Sequence, residues 1–133
     1  MVQAIINNTR GKTMGLTFVE GTVQGPTGKE RPVRFLVDSG ATYTLLGFED
    51  WKAIGLTPQR AMDFTLADGS IIKRNVSECL VALPQGRGHS PVILGEDGDE
   101  PLLGMVTLEI FGLRLDPFRR TLEPMKMMLA RMW

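Results

Sequence analysis

Short apolar stretches broken by glycine, proline and acidic clusters run along most of the chain, which is the punctuation of an all-β domain with two short helices. Residues 15–25 read as a strand and Pro26-Thr27-Gly28-Lys29 as a turn, after which Val33, Phe35 and Val37 alternate along a second strand. That strand runs straight into Asp38-Ser39-Gly40-Ala41, where small and polar residues stop it, and Thr44-Leu45-Leu46 resumes the apolar character. Phe48, Trp51 and Ile54 recur at helical spacing, with acids early and Gly55 behind them, and predict a short helix over 48–54.

Phe64-Thr65-Leu66 and Ile71-Ile72-Lys73 flank Ala67-Asp68-Gly69-Ser70. Asp-Gly between alternating apolar runs predicts a β-hairpin, with a type I′ turn and positive φ at both central residues. Strands follow at 77–83 and 91–94, with a glycine-rich basic loop expected between them at 84–90. An acidic loop at 96–100 leads into Pro101-Leu102-Leu103-Gly104 and a second helix over 105–111, closed by Gly112. Leu113-Arg114-Leu115 and Thr121-Leu122 form a last hairpin around Asp116-Pro117. No repeat and no linker interrupts this order, so residues 1–133 are expected to form one domain, with a core over about 14–124 and a tail at 125–133. In the tail Met125, Met128, Leu129 and Met132 fall at helical spacing, which suggests a capping element or a contact between subunits.

Size supports a core without staples. A chain of 133 residues folds to a surface of roughly 7,000 Å² from about 21,000 Å² unfolded, so two-thirds can be buried. Fifteen basic residues balance fifteen acidic ones, and no global field exists to hold nucleic acid. The basic C-terminal third, with Arg114, Arg119, Arg120, Lys126 and Arg131, reads as a solvated face. The apolar stretches fall far short of a membrane span, and the N-terminus lacks a signal-peptide pattern, so no membrane association and a cytoplasmic location are expected. Asn7-Asn8-Thr9 and Asn75-Val76-Ser77 match the glycosylation pattern, which means little without secretion.

Scarcity removes several chemistries. Cys79 is the one cysteine and His89 the one histidine, so neither a disulfide nor a Cys/His zinc site can be assembled. His89 lies in Gly-Arg-Gly-His-Ser-Pro, a loop-like setting that favours a solvated residue over a catalytic one. Cys79 reads as a buried or half-buried strand residue. Gly11-Lys12-Thr13 resembles the end of a phosphate-binding loop, but Ile6 stands where that motif needs glycine. No cofactor and no metal are expected.

The informative segment is Phe35-Leu36-Val37-Asp38-Ser39-Gly40-Ala41-Thr42. A carboxylate at the end of a buried strand is costly unless hydrogen bonds hold it. Gly40 lets the backbone turn tightly so that its N–H can approach Asp38, and Ser39 offers a hydroxyl. Such a loop suits aspartyl catalysis, while a plain strand exit capped by Asp38 remains open at this point.

The ordered set of parts widens the picture. An Asp-Ser-Gly loop, an Asp-Gly hairpin some thirty residues later and an apolar-apolar-Gly segment before a short helix together resemble the retropepsin-like (clan AA) aspartic proteases. The resemblance spans residues 14–124, and Leu66-Ala67-Asp68-Gly69 with Glu100-Pro101-Leu102-Leu103-Gly104 is similar to the small prokaryotic members. It implies a closed β-barrel with one or two short helices, assembled as a two-fold homodimer. Asp38 matches the catalytic aspartate, Ser39 the hydroxyl residue that bonds across to the partner loop, and Gly40, Ala41 and Thr42 complete the active-site loop. Ala67, Asp68, Gly69 and Ser70 match the tip of a flap over bound peptide, and Leu102, Leu103 and Gly104 match the supporting segment. Ile93-Leu94-Gly95 is a rival for that last role with no helix after it. Thr42 and Tyr43 stand where viral members carry acidic residues, and the hairpin lacks the tyrosine of pepsin-like enzymes, so no substrate preference carries over.

The chemistry needs two carboxylates sharing one proton, and only one Asp-Ser-Gly occurs. A second copy is therefore expected to supply the other aspartate across a two-fold axis. The expected function is a homodimeric aspartic endopeptidase acting on polypeptides, most active below neutral pH. The alternative is a non-catalytic peptide-binding or dimerisation domain of the same fold.

Overall fold

A computed structural model describes residues 15–126. Strand β1 (Phe18–Gln24) pairs antiparallel with β2 (Glu30–Val37) in the register Phe18↔Leu36 to Gln24↔Glu30. Strand β3 (Thr44–Leu46) is followed by helix α1 (Phe48–Ala53), then by β4 (Arg60–Thr65), β5 (Ile71–Leu83) and β6 (Gly86–Leu94). The two-residue β7 (Leu102–Leu103) leads into helix α2 (Met105–Ile110), and β8 (Leu113–Asp116) pairs with β9 (Thr121–Pro124) as a separate hairpin. Among the described residues no helix is long and apolar enough to cross a membrane.

The main sheet has the order β1-β2-β7-β3-β6-β5-β4, and β1 also pairs with β5 through Thr22↔Ala82, Val23↔Val81 and Gln24↔Leu80. That extra pairing closes six strands into a barrel and leaves β4 outside the ring. The β4–β5 hairpin therefore extends from the barrel on the N-terminal half of β5, from Arg60↔Val76 to Thr65↔Ile71. The expected closed barrel with short helices is what the chain adopts.

Two apolar clusters hold this arrangement. Inside the barrel lie Phe35, Val37, Leu46, Val81, Leu94 and Leu103, among others. Outside it, Leu36, Leu45, Val76, Ile93 and Leu102 form a second cluster, which Tyr43, Met62, Phe64, Leu66 and Ile72 cover. The sequence doublets Leu36/Val37, Leu45/Leu46, Ile93/Leu94 and Leu102/Leu103 each send one side chain to each cluster. These short strands are buried on both faces, so they read as continuous apolar runs instead of alternating ones. Each fully buried Phe or Leu side chain contributes about 1.5–3 kcal/mol.

Helix α1 forms where expected, one residue shorter. Ile54 is fully buried, Trp51 donates its indole N–H to the Gly95 carbonyl (2.8 Å), and Gly55 ends the turn at φ +76. Arg31 anchors the helix to β2 through a 2.7 Å bond to Asp50.

Two expectations are corrected. The loop at 84–90 is absent: β6 begins at Gly86, and β5 runs unbroken through residues 71–83. Gly88 pairs with Val81 within the strand, and Phe111 packs over it, so that a Cβ there would meet the ring at 3.1 Å. His89 consequently sits on β6 opposite Leu80, exposed but not in a loop. At the hairpin tip only Gly69 has positive φ (+87), so the turn is not type I′. The bonds from Gly69 N–H to Leu66 O (2.9 Å) and from Leu66 N–H to Ser70 O (2.8 Å) instead describe a three-residue loop with a left-handed glycine bulge. The N-terminal motifs, including Gly11-Lys12-Thr13, and the tail residues Met128, Leu129, Arg131 and Met132 lie outside the described residues.

Candidate active site

Asp38 follows β2 directly, and its N–H continues the ladder to β7 by bonding Leu103 O at 3.0 Å. The chain then turns, with Ala41 N–H on Asp38 O (3.0 Å) and Gly40 N–H on Asp38 Oδ1 (3.0 Å). The half-buried carboxylate thus receives the backbone donor that the glycine was expected to bring.

The loop after Asp38 is held from below by helix α2. A helix leaves its first N–H groups without intrahelical acceptors, and no side chain caps this one. Its donors go to the loop after Asp38 instead: Met105 N–H to Ala41 O (2.8 Å), Val106 N–H to Thr42 O (2.9 Å) and Gly104 N–H to Thr44 Oγ1 (3.0 Å). Thr44 Oγ1 lies 2.5 Å from Thr107 Oγ1, which is 2.7 Å from Ser90 Oγ. All three hydroxyl residues are completely buried. Ser90 Oγ donates to Pro91 O (3.1 Å). One proton order satisfies every link: Gly104 N–H to Thr44, Thr44 to Thr107, Thr107 to Ser90, and Ser90 to Pro91 O.

A cleft of about 650 Å³ opens between this loop and the inner face of the β4–β5 hairpin. Of the residues singled out in the sequence, Asp38, Gly40, Ala41, Thr42, Ala67 and Leu102 line it. Ser39 is exposed beside the turn, and Asp68, Gly69 and Ser70 sit at the exposed tip. Leu103 and Gly104 are buried beneath the loop. The rival Gly95 instead bonds Leu46 O and accepts from Trp51, although Ile93 reaches the cleft.

The walls of the cleft were not foreseen from the sequence. Tyr43 packs edge-on against Phe64 (centroids 5.8 Å apart) and its hydroxyl accepts from Arg60 (3.3 Å), joining loop to hairpin. Met62, Phe64, Ile72 and Arg74 face inward from the two hairpin strands. Alternation along β4 puts Met62 and Phe64 on one face, but the expected two-residue turn pairs Phe64 with Lys73, and only the three-residue loop brings Ile72 and Arg74 to that face.

At the tip, Asp68 Oδ1 accepts from the Ser70 hydroxyl (2.6 Å) and the Ser70 N–H (2.9 Å). These bonds, the hydroxyl first, hold its carboxyl below the ordinary value. Among the described residues no three His, Cys, Asp or Glu side chains gather as a metal-ligand set.

The sequence model of the family described as "Aspartyl protease" matches residues 5–107. No curated protein matches the chain. The solution structure of simian foamy virus (mac) protease superposes with a TM-score of 0.51 at 17% identity, over 70% of this chain and 92% of that one. The likeness shows a shared fold, and the family match extends it to sequence: the chain belongs to the aspartyl protease family, with a retropepsin-like fold.

Proposed function

We propose that the protein is a homodimeric aspartic endopeptidase in which Asp38 of each subunit forms a catalytic dyad. The observation that carries this reading is the Asp38 carboxylate held by Gly40 N–H at 3.0 Å, at the wall of a cleft of about 650 Å³. One carboxylate removes a proton from a water whose oxygen attacks the scissile carbonyl carbon, while the partner carboxyl gives its proton to the carbonyl oxygen. The resulting diol collapses as the C–N bond breaks and the amine takes up a proton. Ser39 bonds to the partner's loop across the two-fold axis. The hairpin tip, Ala67 to Ser70, closes as a flap whose backbone groups pair with the peptide. Residues 1–133 act together as one protease domain.

Incubation of a diverse peptide mixture with wild type and with Asp38→Asn, from about pH 4 to pH 8, tests the reading by mass spectrometry. Cuts made by wild type alone, and most frequent below neutral pH, are expected. Equal cutting by Asp38→Asn, or none by either protein where a dimer is demonstrated, overturns it.

A further inference from the structure

The inner face of the β4–β5 hairpin is apolar at Met62, Phe64, Leu66 and Ile72 and charged at Arg60, whose guanidinium is engaged by Tyr43 and Met62, and at Arg74, the one of the two that lines the cleft. Asp63, also at the cleft, is engaged by Lys73 at 3.2 Å. Arg74 borders both the main cleft and a second cavity of about 450 Å³ beside it, and its side chain is only 15% exposed. Two of its donors are used: Nη1 on Lys73 O (3.0 Å) and Nη2 on Glu96 Oε1 (3.3 Å). Its Nε–H is buried with no acceptor.

A buried donor without an acceptor is costly, and a guanidinium cannot shed its proton to escape the cost. The apolar neighbours offer no oxygen. Glu96 is a weak competitor, because its side chain is 56% exposed and the contact is long. A planar oxygen acceptor entering the cleft can therefore draw the guanidinium from Glu96 and take two N–H groups in the fork geometry that arginine favours.

We propose that Arg74 is a specificity-determining residue, recognising on the bound peptide a side chain that ends in a planar carbonyl oxygen, glutamine or glutamate. The inference rests on reading the cleft as a peptide site. Because Glu96 already balances the charge, the need is for an acceptor, and both residues satisfy it over methionine or leucine of similar length.

The test uses a peptide library in which Gln, Glu, Met and Leu are equally frequent. Cleavage by wild type should show Gln and Glu enriched over Met and Leu by about tenfold at one position within about four residues of the cut. In Arg74→Met the enrichment falls to about one. Arg74→Lys, which keeps the stem and the Glu96 ion pair and so protects the fold, loses most of it for want of the fork. Glu96→Gln raises Glu over Gln at the same position. No enrichment in wild type, or full enrichment in either Arg74 variant, overturns the inference. A second arm retains the same library on immobilised Asp38→Asn, with and without Arg74→Met. Retention of Gln and Glu peptides without any cutting by wild type would refute the protease and uphold Arg74. Cutting without enrichment would do the reverse, and neither cutting nor retention refutes both.

Discussion

Gly104 donates its N–H to Thr44 Oγ1 at 3.0 Å, and a Cβ on Gly104 would lie 2.5 Å from the carbonyl carbon of Tyr43. The start of helix α2 and the loop behind Asp38 therefore cross at backbone contact, with no space at Gly104 for a side chain. Gly104 has an extended backbone, φ −97 and ψ 175, so the requirement here is close approach and not left-handed conformation. The position of the candidate catalytic aspartate depends on this crossing, since the same helix start also holds Ala41 O and Thr42 O.

Thr107→Val tests the hydroxyl chain beneath the crossing. Valine keeps the shape but breaks the two middle links, leaving Thr44 without an acceptor and Ser90 without a donor in a fully buried site. The expected loss is about 1–3 kcal/mol, read as a lower urea midpoint at unchanged slope. Peptide cleavage should weaken along with stability, because Gly104 and the Asp38 loop lose their shared anchor. A neutral result would show that the hydroxyls fill space only.

Much of the barrel was legible in the sequence because turn chemistry is local. Gly28, Gly55, Gly69 and Gly112 all take the positive φ that their turn or helix-end positions require. The Asp38 loop was legible for the same reason. What failed was composition taken as conformation: Gly86 and Gly88 suggested a loop, yet they pair with Leu83 and Val81 across β5. Their extended state comes with the pairing to β5, and Gly88 also lies against Phe111, about twenty residues away in the chain, a contact that no local signal reports. The Thr44–Thr107–Ser90 chain was hidden likewise, because its members are 63 and 17 residues apart. The expected two-residue turn would have paired Phe64 with Lys73, so the β5 side of the cleft wall, Ile72 and Arg74, was hidden behind the bulge at Gly69 that shifts the register by one.

Ser70→Ala tests the hairpin tip. The Asp68 carboxyl lies below its ordinary value of 3.8 chiefly because of the Ser70 hydroxyl, then the Ser70 N–H. A depressed folded-state value means that the carboxylate supports the tip above the unfolded value, near 3.8, and that this support fades as pH falls through the folded value. Carbon-13 NMR titration of the side chain should show Asp68 moving back toward 3.8 in Ser70→Ala. Amide exchange at Leu66 and Gly69 should quicken at neutral pH in the variant. An unchanged titration would mean that the backbone N–H alone holds the carboxylate.

Cys79 should be inert in the folded protein. It is 3% exposed within the barrel, and burial, with a smaller contribution from Glu78, pushes its thiol up to about 12. Its raised folded value means that the neutral thiol's support is complete below the unfolded value near 9.0 and is lost as pH rises toward 12. Iodoacetamide at about pH 8 should leave the native protein unmodified and label it fully in urea, since only the exposed thiolate reacts. Cys79→Ser, which buries a hydroxyl among valine and leucine side chains, should cost about 1–3 kcal/mol. Rapid labelling of native protein would contradict the packing around β5.

Mixing wild type with Asp38→Asn separates a shared active site from a self-sufficient one. The chain has one Asp-Ser-Gly, so a dyad built on Asp38 needs both subunits intact. Equal amounts, allowed to exchange at random, place about one quarter of the dimers in the doubly wild-type form and about half in the mixed form. If one Asp38→Asn subunit is enough to disable the pair, activity falls to about one quarter of that of wild type at the same total concentration. Subunits that each carry a complete site would retain about half. Dilution of wild type should give a matching signature, with specific activity falling once the concentration drops below the dimer dissociation constant. Activity of about half in the mixture, with specific activity constant on dilution, would show that Asp38 works without its counterpart and would place the second proton-transfer group elsewhere in the same chain.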